Sequence, residues 1–267
     1  MALFFSLFAL RECLLSGIRG LTYRGEDGRI HETEEREPAD MDRLPFACEN
    51  PERFTNRIVY YESSRGCPFR CSYCLSSVER QVRFRSMELV EKELLFFLKA
   101  QVPQVKFVDR TFNLDPGRTA RLWQWLLEHD NGITNFHFEI GADLLTEEEL
   151  AIMSRMRPGL IQLEIGVQST NGDTIRGIDR TMDLERLKAA VRRIKGFHNI
   201  HQHLDLIAGL PFEDLKSFRR SFDEVYELEP EQLQLGFLKV LKGSKMYERA
   251  SDYGILCCGG PPYEVLS

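Results

Sequence analysis

Residues 65–74 read RGCPFRCSYC and place Cys67, Cys71 and Cys74 at CxxxCxxC spacing on one short loop. Three thiolates are one fewer than a closed four-ligand metal site needs. A 4Fe-4S cluster held by four cysteines has every iron capped, whereas three leave one iron with an open position, and an open position implies chemistry. Gly66 and Pro68 shape a tight entry to the loop, and the aromatic Tyr73 stands directly before the last thiol. A structural zinc site, a ferredoxin-like cluster and chance clustering are the competing explanations. Zinc wants a fourth Cys or His at a familiar spacing, and His31 and Cys48 do not supply one.

Outward from this loop, short β-rich runs alternate with amphipathic helical stretches, the pattern of a parallel sheet covered by helices. Strands are expected near residues 57–63, 105–109, 135–141, 160–169, 201–211 and 233–240. Helix starts are marked by Ser86 with Glu88, by Asp115 with Pro116, and by Thr146 with Glu149 as a capping box; Asp183 and Asp214 start two more. Right-handed crossovers curl six such units into a partial barrel.

Parallel strands buried on both faces should be apolar throughout, and these alternate. One face carries His137, Glu139, Gln162, Glu164, Gln168, His201, His203, Asp205, Gln232 and Gln234. The other carries Phe136, Phe138, Ile140, Leu163, Ile165, Val167, Leu204, Leu206, Leu233, Leu235 and Phe237, expected to pack under the helices. A buried polar group without a partner costs on the order of 1 to 3 kcal/mol, so a polar inner face implies a wet or ligand-filled lumen.

The cysteine loop, Tyr73 and the strand-end motifs between residues 57 and 240 together resemble the radical SAM superfamily, whose motif is CxxxCx(aromatic)C. The resemblance implies an α/β fold, a partial (βα)6 TIM-like barrel. It implies a 4Fe-4S cluster on Cys67, Cys71 and Cys74 whose open iron chelates the amino and carboxyl groups of S-adenosylmethionine, with Tyr73 against the adenine. Reduced flavodoxin or ferredoxin would supply the electron that cleaves S-adenosylmethionine to a 5'-deoxyadenosyl radical. FVDRTFN (107–113) departs from the family's GGE-like motif and is similar to its DDxF variant, which points to Asp109 and the backbone of Arg110 and Thr111 as ligands of the cofactor. Glu139 and Glu164 fall where carboxylates approach the ribose or methionine. GVQS brings Gln168 and Ser169 toward the sugar or carboxylate, and LIAGLP sets Ile207, Gly209 and Leu210 against the adenine, with Asp205 in place of that motif's first glycine. No acid or base is assigned; His203, Glu164 and Asp205 are the lumen residues of first interest, with structural hydrogen bonding as their expected role.

Upstream, GLTYRGEDGRIHETEE reads as a hairpin turning at Gly25 to Gly28, and EREPADMDRLPF as a polar connector. A similar hairpin and connector join a Rossmann domain to the barrel in cobalamin-binding members. That domain and its DxHxxG motif are not in this chain, so cobalamin is expected only with a domain absent here. The expected organisation is 1–56 as helix, hairpin and linker, 57–245 as the core, and 246–267 as a C-terminal tail, with truncation at both ends. Alternative functions are methylthiotransferase-like modification of RNA or protein, and a non-catalytic iron-sulfur protein.

The 267 residues, 43% hydrophobic, suffice for one substantial core. A net charge of −6 provides no global basic field, so nucleic acid is not favoured as a substrate. Seven cysteines, three of them in a thiolate metal motif, suit a reducing compartment, the cytoplasm. The apolar opening MALFFSLFALRECLLSG is too short to span a bilayer and is interrupted by Arg11 and Glu12, so a packed helix and no transmembrane segment are expected. Cys257 and Cys258 read as ordinary loop cysteines.

Overall fold

The computed structural model describes residues 15–266 apart from 26, 49, 51–53 and 55. The helix expected at the start falls on residues 1–14, outside the described residues, and Leu15–Gly17 is a single 3-10 turn. The expected hairpin is present: β1 (Thr22–Arg24) pairs antiparallel with β2 (Ile30–Glu32).

Six strands form one parallel sheet: β3 (Ile58–Tyr61), β6 (Gln104–Phe107), β7 (Asn135–Ile140), β8 (Ile161–Gln168), β9 (His201–Ala208) and β10 (Gln232–Phe237). Their order, β3-β6-β7-β8-β9-β10, follows the chain, as successive right-handed crossovers demand. A two-residue ribbon not legible in the sequence, β4 (Ser64–Arg65) against β5 (Arg83–Phe84), closes the segment that carries the cysteines.

The helices begin where their caps allow. Ser86 stands at the N-cap of α1 (Met87–Lys99) without a side-chain bond to it. Asp115 accepts the Arg118 N–H at the start of α2 (Pro116–Glu128), where Pro116 needs no donor. Thr146 and Glu149 form a reciprocal capping box on α3 (Glu147–Met153). Asn171 caps an unexpected short helix, α4 (Gly172–Gly177). Asp183 and Asp214 cap α5 (Leu184–Lys195) and α6 (Leu215–Tyr226), and α7 (Lys245–Glu248) is one turn.

The core lies between the sheet and the helices. Phe107, Phe112, Phe138 and Trp123 are all buried, and the Phe112 and Phe138 ring centroids are 4.3 Å apart, an arrangement that adds to area burial. Two expected core residues are not in it: Leu235 is 47% and Phe237 is 81% exposed. Both stand on β10, the edge strand of the sheet. Conversely Gln202, on the apolar face, is buried and donates its amide to the Val191 carbonyl at 3.1 Å.

The expected connector is anchored rather than loose. Met41 is buried, and its carbonyl accepts from the Arg85 guanidinium, which also engages Glu93 with two nitrogens. The Tyr61 hydroxyl donates to the same carboxylate at 2.7 Å. No helix among the described residues is long and apolar enough to cross a membrane.

Candidate active site at the mouth of the barrel

The cysteine loop begins at Gly66, whose φ of +101° lies in the region glycine adopts without steric cost. A Cβ there would come 2.3 Å from the Gln81 carbonyl oxygen, so only glycine fits. Backbone bonds hold the loop from three sides: Cys67 N–H to Glu79 at 2.9 Å, Ser72 N–H to Ile178 at 2.8 Å, and Met246 N–H to the Ser72 carbonyl at 2.8 Å. The three thiols therefore converge on one cavity of about 270 Å³, which all of them line.

Cys67 and Cys71 are buried, Cys74 is half-buried, and none of the six described cysteines is in a disulfide. Burial, with a smaller contribution from the neighbouring Cys74 and Cys71, pushes the Cys67 thiol up from its ordinary range. A thiol so disfavoured as a free anion needs a positive centre.

Arg180 is the residue at this site that sequence reasoning missed. Its guanidinium reaches Cys71 Sγ at 3.7 Å, the Tyr73 hydroxyl at 3.4 Å and the Gly166 carbonyl. Burial opposes its charge, yet the facing Tyr73 and Cys71 groups raise its pKa overall. Nothing local marks Arg180, since Cys71 lies 109 residues away in sequence. Gly166 leaves room for Gln168, whose amide nitrogen would meet a Cβ there at 2.4 Å. Gln168 itself sits at φ +70°, where the β8–β9 register shifts at a bulge, and so turns into the cavity.

Of the sequence-predicted residues, Tyr73, Arg110, Thr111, Glu139, Glu164 and Gln168 line the cavity with the three cysteines. Five do not. Asp109 is buried behind the wall, where its carboxylate accepts from Ser63 N–H at 2.7 Å and from the Ser63 and Ser64 hydroxyls at 2.5 and 2.9 Å. Burial raises its pKa against the pull of these donors. Ser169 donates to Glu213 at 2.6 Å, away from the lumen. Ile207 and Leu210 pack in a small apolar cluster that also touches Tyr73. Gly209, at φ +88°, borders a separate groove beside Phe237 and Val265. These five support the walls and turns.

Below the thiols the lumen is a ladder of polar side chains. Lys106, also missed, donates to Glu164 at 2.8 Å; the alternation in QVKF puts it on the inner face and was a readable signal. His137 Nε2 lies 3.0 Å from the same carboxylate oxygen. The His137 imidazole and the Lys106 ammonium, against burial, hold the Glu164 carboxyl down at about 2. Glu139 is shifted upward by burial and by Glu164. Burial and the Glu164 and Glu139 charges push Asp205 up to about 7. His203 is moved down by burial, against the pull of the Glu164 charge.

A six-stranded parallel barrel sector with thiols at the carboxyl ends of its strands and a hydrophilic interior defines a metallocofactor-binding barrel scaffold. The model of the radical SAM superfamily matches residues 61–225. The chain belongs to the radical SAM superfamily. It is 33% identical over 253 residues to the oxygen-independent coproporphyrinogen-III oxidase-like protein HemZ of Bacillus subtilis, across 80% of this chain and 46% of that protein. To the cobalamin-dependent radical SAM methyltransferase TokK of Streptomyces tokunonensis it is 26% identical over 232 residues, covering 80% and 32%. The chain thus spans less than half of either relative. Among solved structures, the methyltransferase TsrM from Kitasatospora setae with cobalamin and a [4Fe-4S] cluster bound matches with a TM-score of 0.76 at 15% identity, over 97% of this chain and 55% of that one. OxsB, a cobalamin-dependent S-adenosylmethionine radical enzyme, matches with a TM-score of 0.74 at 18% identity, over 95% and 43%. These likenesses establish the partial barrel fold.

Proposed function

We propose that this protein is a radical SAM enzyme that reductively cleaves S-adenosylmethionine at a 4Fe-4S cluster and modifies a substrate held in the lumen. The convergence of Cys67, Cys71 and Cys74 on one cavity with Tyr73, Glu139 and Gln168 carries the reading. Bound there, the cluster would supply one electron to the sulfonium, and the 5'-deoxyadenosyl radical chemistry that follows belongs to the cofactors rather than to side chains.

The chain's residues hold and shield. Arg180 offsets the negative charge that three thiolates bring to a buried site. Tyr73 lines the same cavity and would offer its ring for stacking, and Glu139 and Gln168 would offer acceptors and donors there. Arg110 and Thr111 line the same cavity. The half-buried Cys74 side is where a low-potential donor, a reduced flavodoxin or ferredoxin, would approach. We read residues 57–245 as the catalytic core, residues 1–56 as its connection to an upstream module, and 246–267 as the tail. Free thiols at all six described cysteines favour a reducing, cytoplasmic setting.

The test is anaerobic reconstitution with iron and sulfide, then dithionite and S-adenosylmethionine. The expected product is 5'-deoxyadenosine, with release lost in Cys67→Ala. Absence of 5'-deoxyadenosine from protein that holds a full cluster would refute the reading. Cobalamin-linked methyl transfer is the second reading, favoured by the similarity to TokK, and cobalamin retention by a longer natural product would support it.

A further inference from the structure

Deeper in the lumen lies a second set of ligand atoms. Glu164 stands directly opposite His203 across the β8–β9 pair, and Asp205 follows His203 on the same face of β9. One ligand atom from each of the three lies within 4.8 Å of the others. Ligands bound at about 2.0 to 2.3 Å from a common centre are separated by at most about 4.6 Å, so a shift of a few tenths of an ångström suffices. All three side chains rise from adjacent strands of one hydrogen-bonded sheet, which fixes their spacing.

The partners of these atoms point to a missing cation. His203 is only 6% exposed, and its Nε2 and the Asp205 Oδ1 are buried without a hydrogen-bond partner among the described residues. The two atoms are nevertheless 3.1 Å apart. An unmet buried polar group is a recognised mark of an absent ion. Lys106 donates to Glu164 Oε2 and so orients that carboxylate.

We propose that Glu164, His203 and Asp205 form a binding site for a first-row divalent cation, with ligands distinct from the cysteines although Glu164 and Asp205 line the same cavity. One imidazole and two carboxylates suit manganese, iron or zinc and leave coordination positions for water or substrate oxygen. A bound dication would also offset the carboxylates that Lys106 alone does not neutralise. Stoichiometric Mn2+ binding distinguishes a metal ion from a substrate ammonium group, which would satisfy the same acceptors. The site does not depend on the radical reading, because none of its ligands is a thiol.

Manganese(II) tests it, being a hard ion that passes over thiolates. In an anaerobic titration of the full chain followed by the electron paramagnetic resonance of free Mn2+, one ion per chain is expected to bind. Affinity should fall at least tenfold in both His203→Ala and Asp205→Asn, and stay unchanged in the variant with Cys67, Cys71 and Cys74 all replaced by alanine. Asp205→Asn preserves side-chain shape and decides the matter should His203→Ala not fold. No stoichiometric binding, binding unaffected by Asp205→Asn, or binding lost with the cysteines would overturn the proposal. Release of 5'-deoxyadenosine is read separately, so either conclusion can fail alone.

Discussion

Gly66 shows how tightly one residue governs the cysteine loop. Its left-handed backbone and the Gln81 carbonyl, which a Cβ would approach to 2.3 Å, leave no side chain a place. Gly66→Ala should displace the 66–67 backbone from Glu79 and Gln81 and lower the iron bound after reconstitution several-fold. Iron and sulfide content against the visible absorbance of the cluster checks this, and full cluster loading in the variant would contradict it. Asp109 makes a related point with the opposite outcome. Its motif resembles a cofactor ligand, but three donors from Ser63 and Ser64 occupy it, and its contribution is to fasten the end of β3 to the end of β6.

At the scale of elements, the chain's punctuation sets where helices begin. Asp115, Asp183 and Asp214 each accept a backbone N–H from three residues ahead, which relieves one of the unpaired donors at a helix start. Thr146 does more, since its hydroxyl bonds Glu149, a fully buried acid whose pKa burial raises. Thr146→Ala is expected to cost about 2 kcal/mol, the upper end for a cap, because a buried carboxyl loses a donor as well. Denaturant unfolding measures it, and a loss below about 0.5 kcal/mol would show that water replaces the hydroxyl. The caps were readable because they are local. The ribbon β4–β5 was not, since each of its strands is two residues long and is defined only by its partner.

Over the whole molecule, the sheet divides an apolar layer from a polar lumen, and residues of the same type differ in worth by where the fold puts them. Phe138 is fully buried among Phe107, Phe112 and Trp123, and Phe138→Ala should destabilise by about 3 to 5 kcal/mol. Phe237, on the same face two strands and an edge away, is mostly exposed, and Phe237→Ser should stay within about 0.5 kcal/mol. Thermal unfolding of the pair separates the two. Equal losses would mean that β10 is covered in solution.

The alternation within NFHFEI, IQLEIGVQ and HQHLDLIA was enough to sort inner from outer face, because a strand has period two whatever surrounds it. The CxxxCxxC spacing was likewise enough to bring three thiols to one loop. What the sequence could not decide was which distant groups meet. Arg180 against Cys71, Lys106 against Glu164, and the exposure of Leu235 and Phe237 all depend on where strands stand in the sheet and how it curls. Contacts between residues far apart in the chain are fixed by packing, and no local pattern records them.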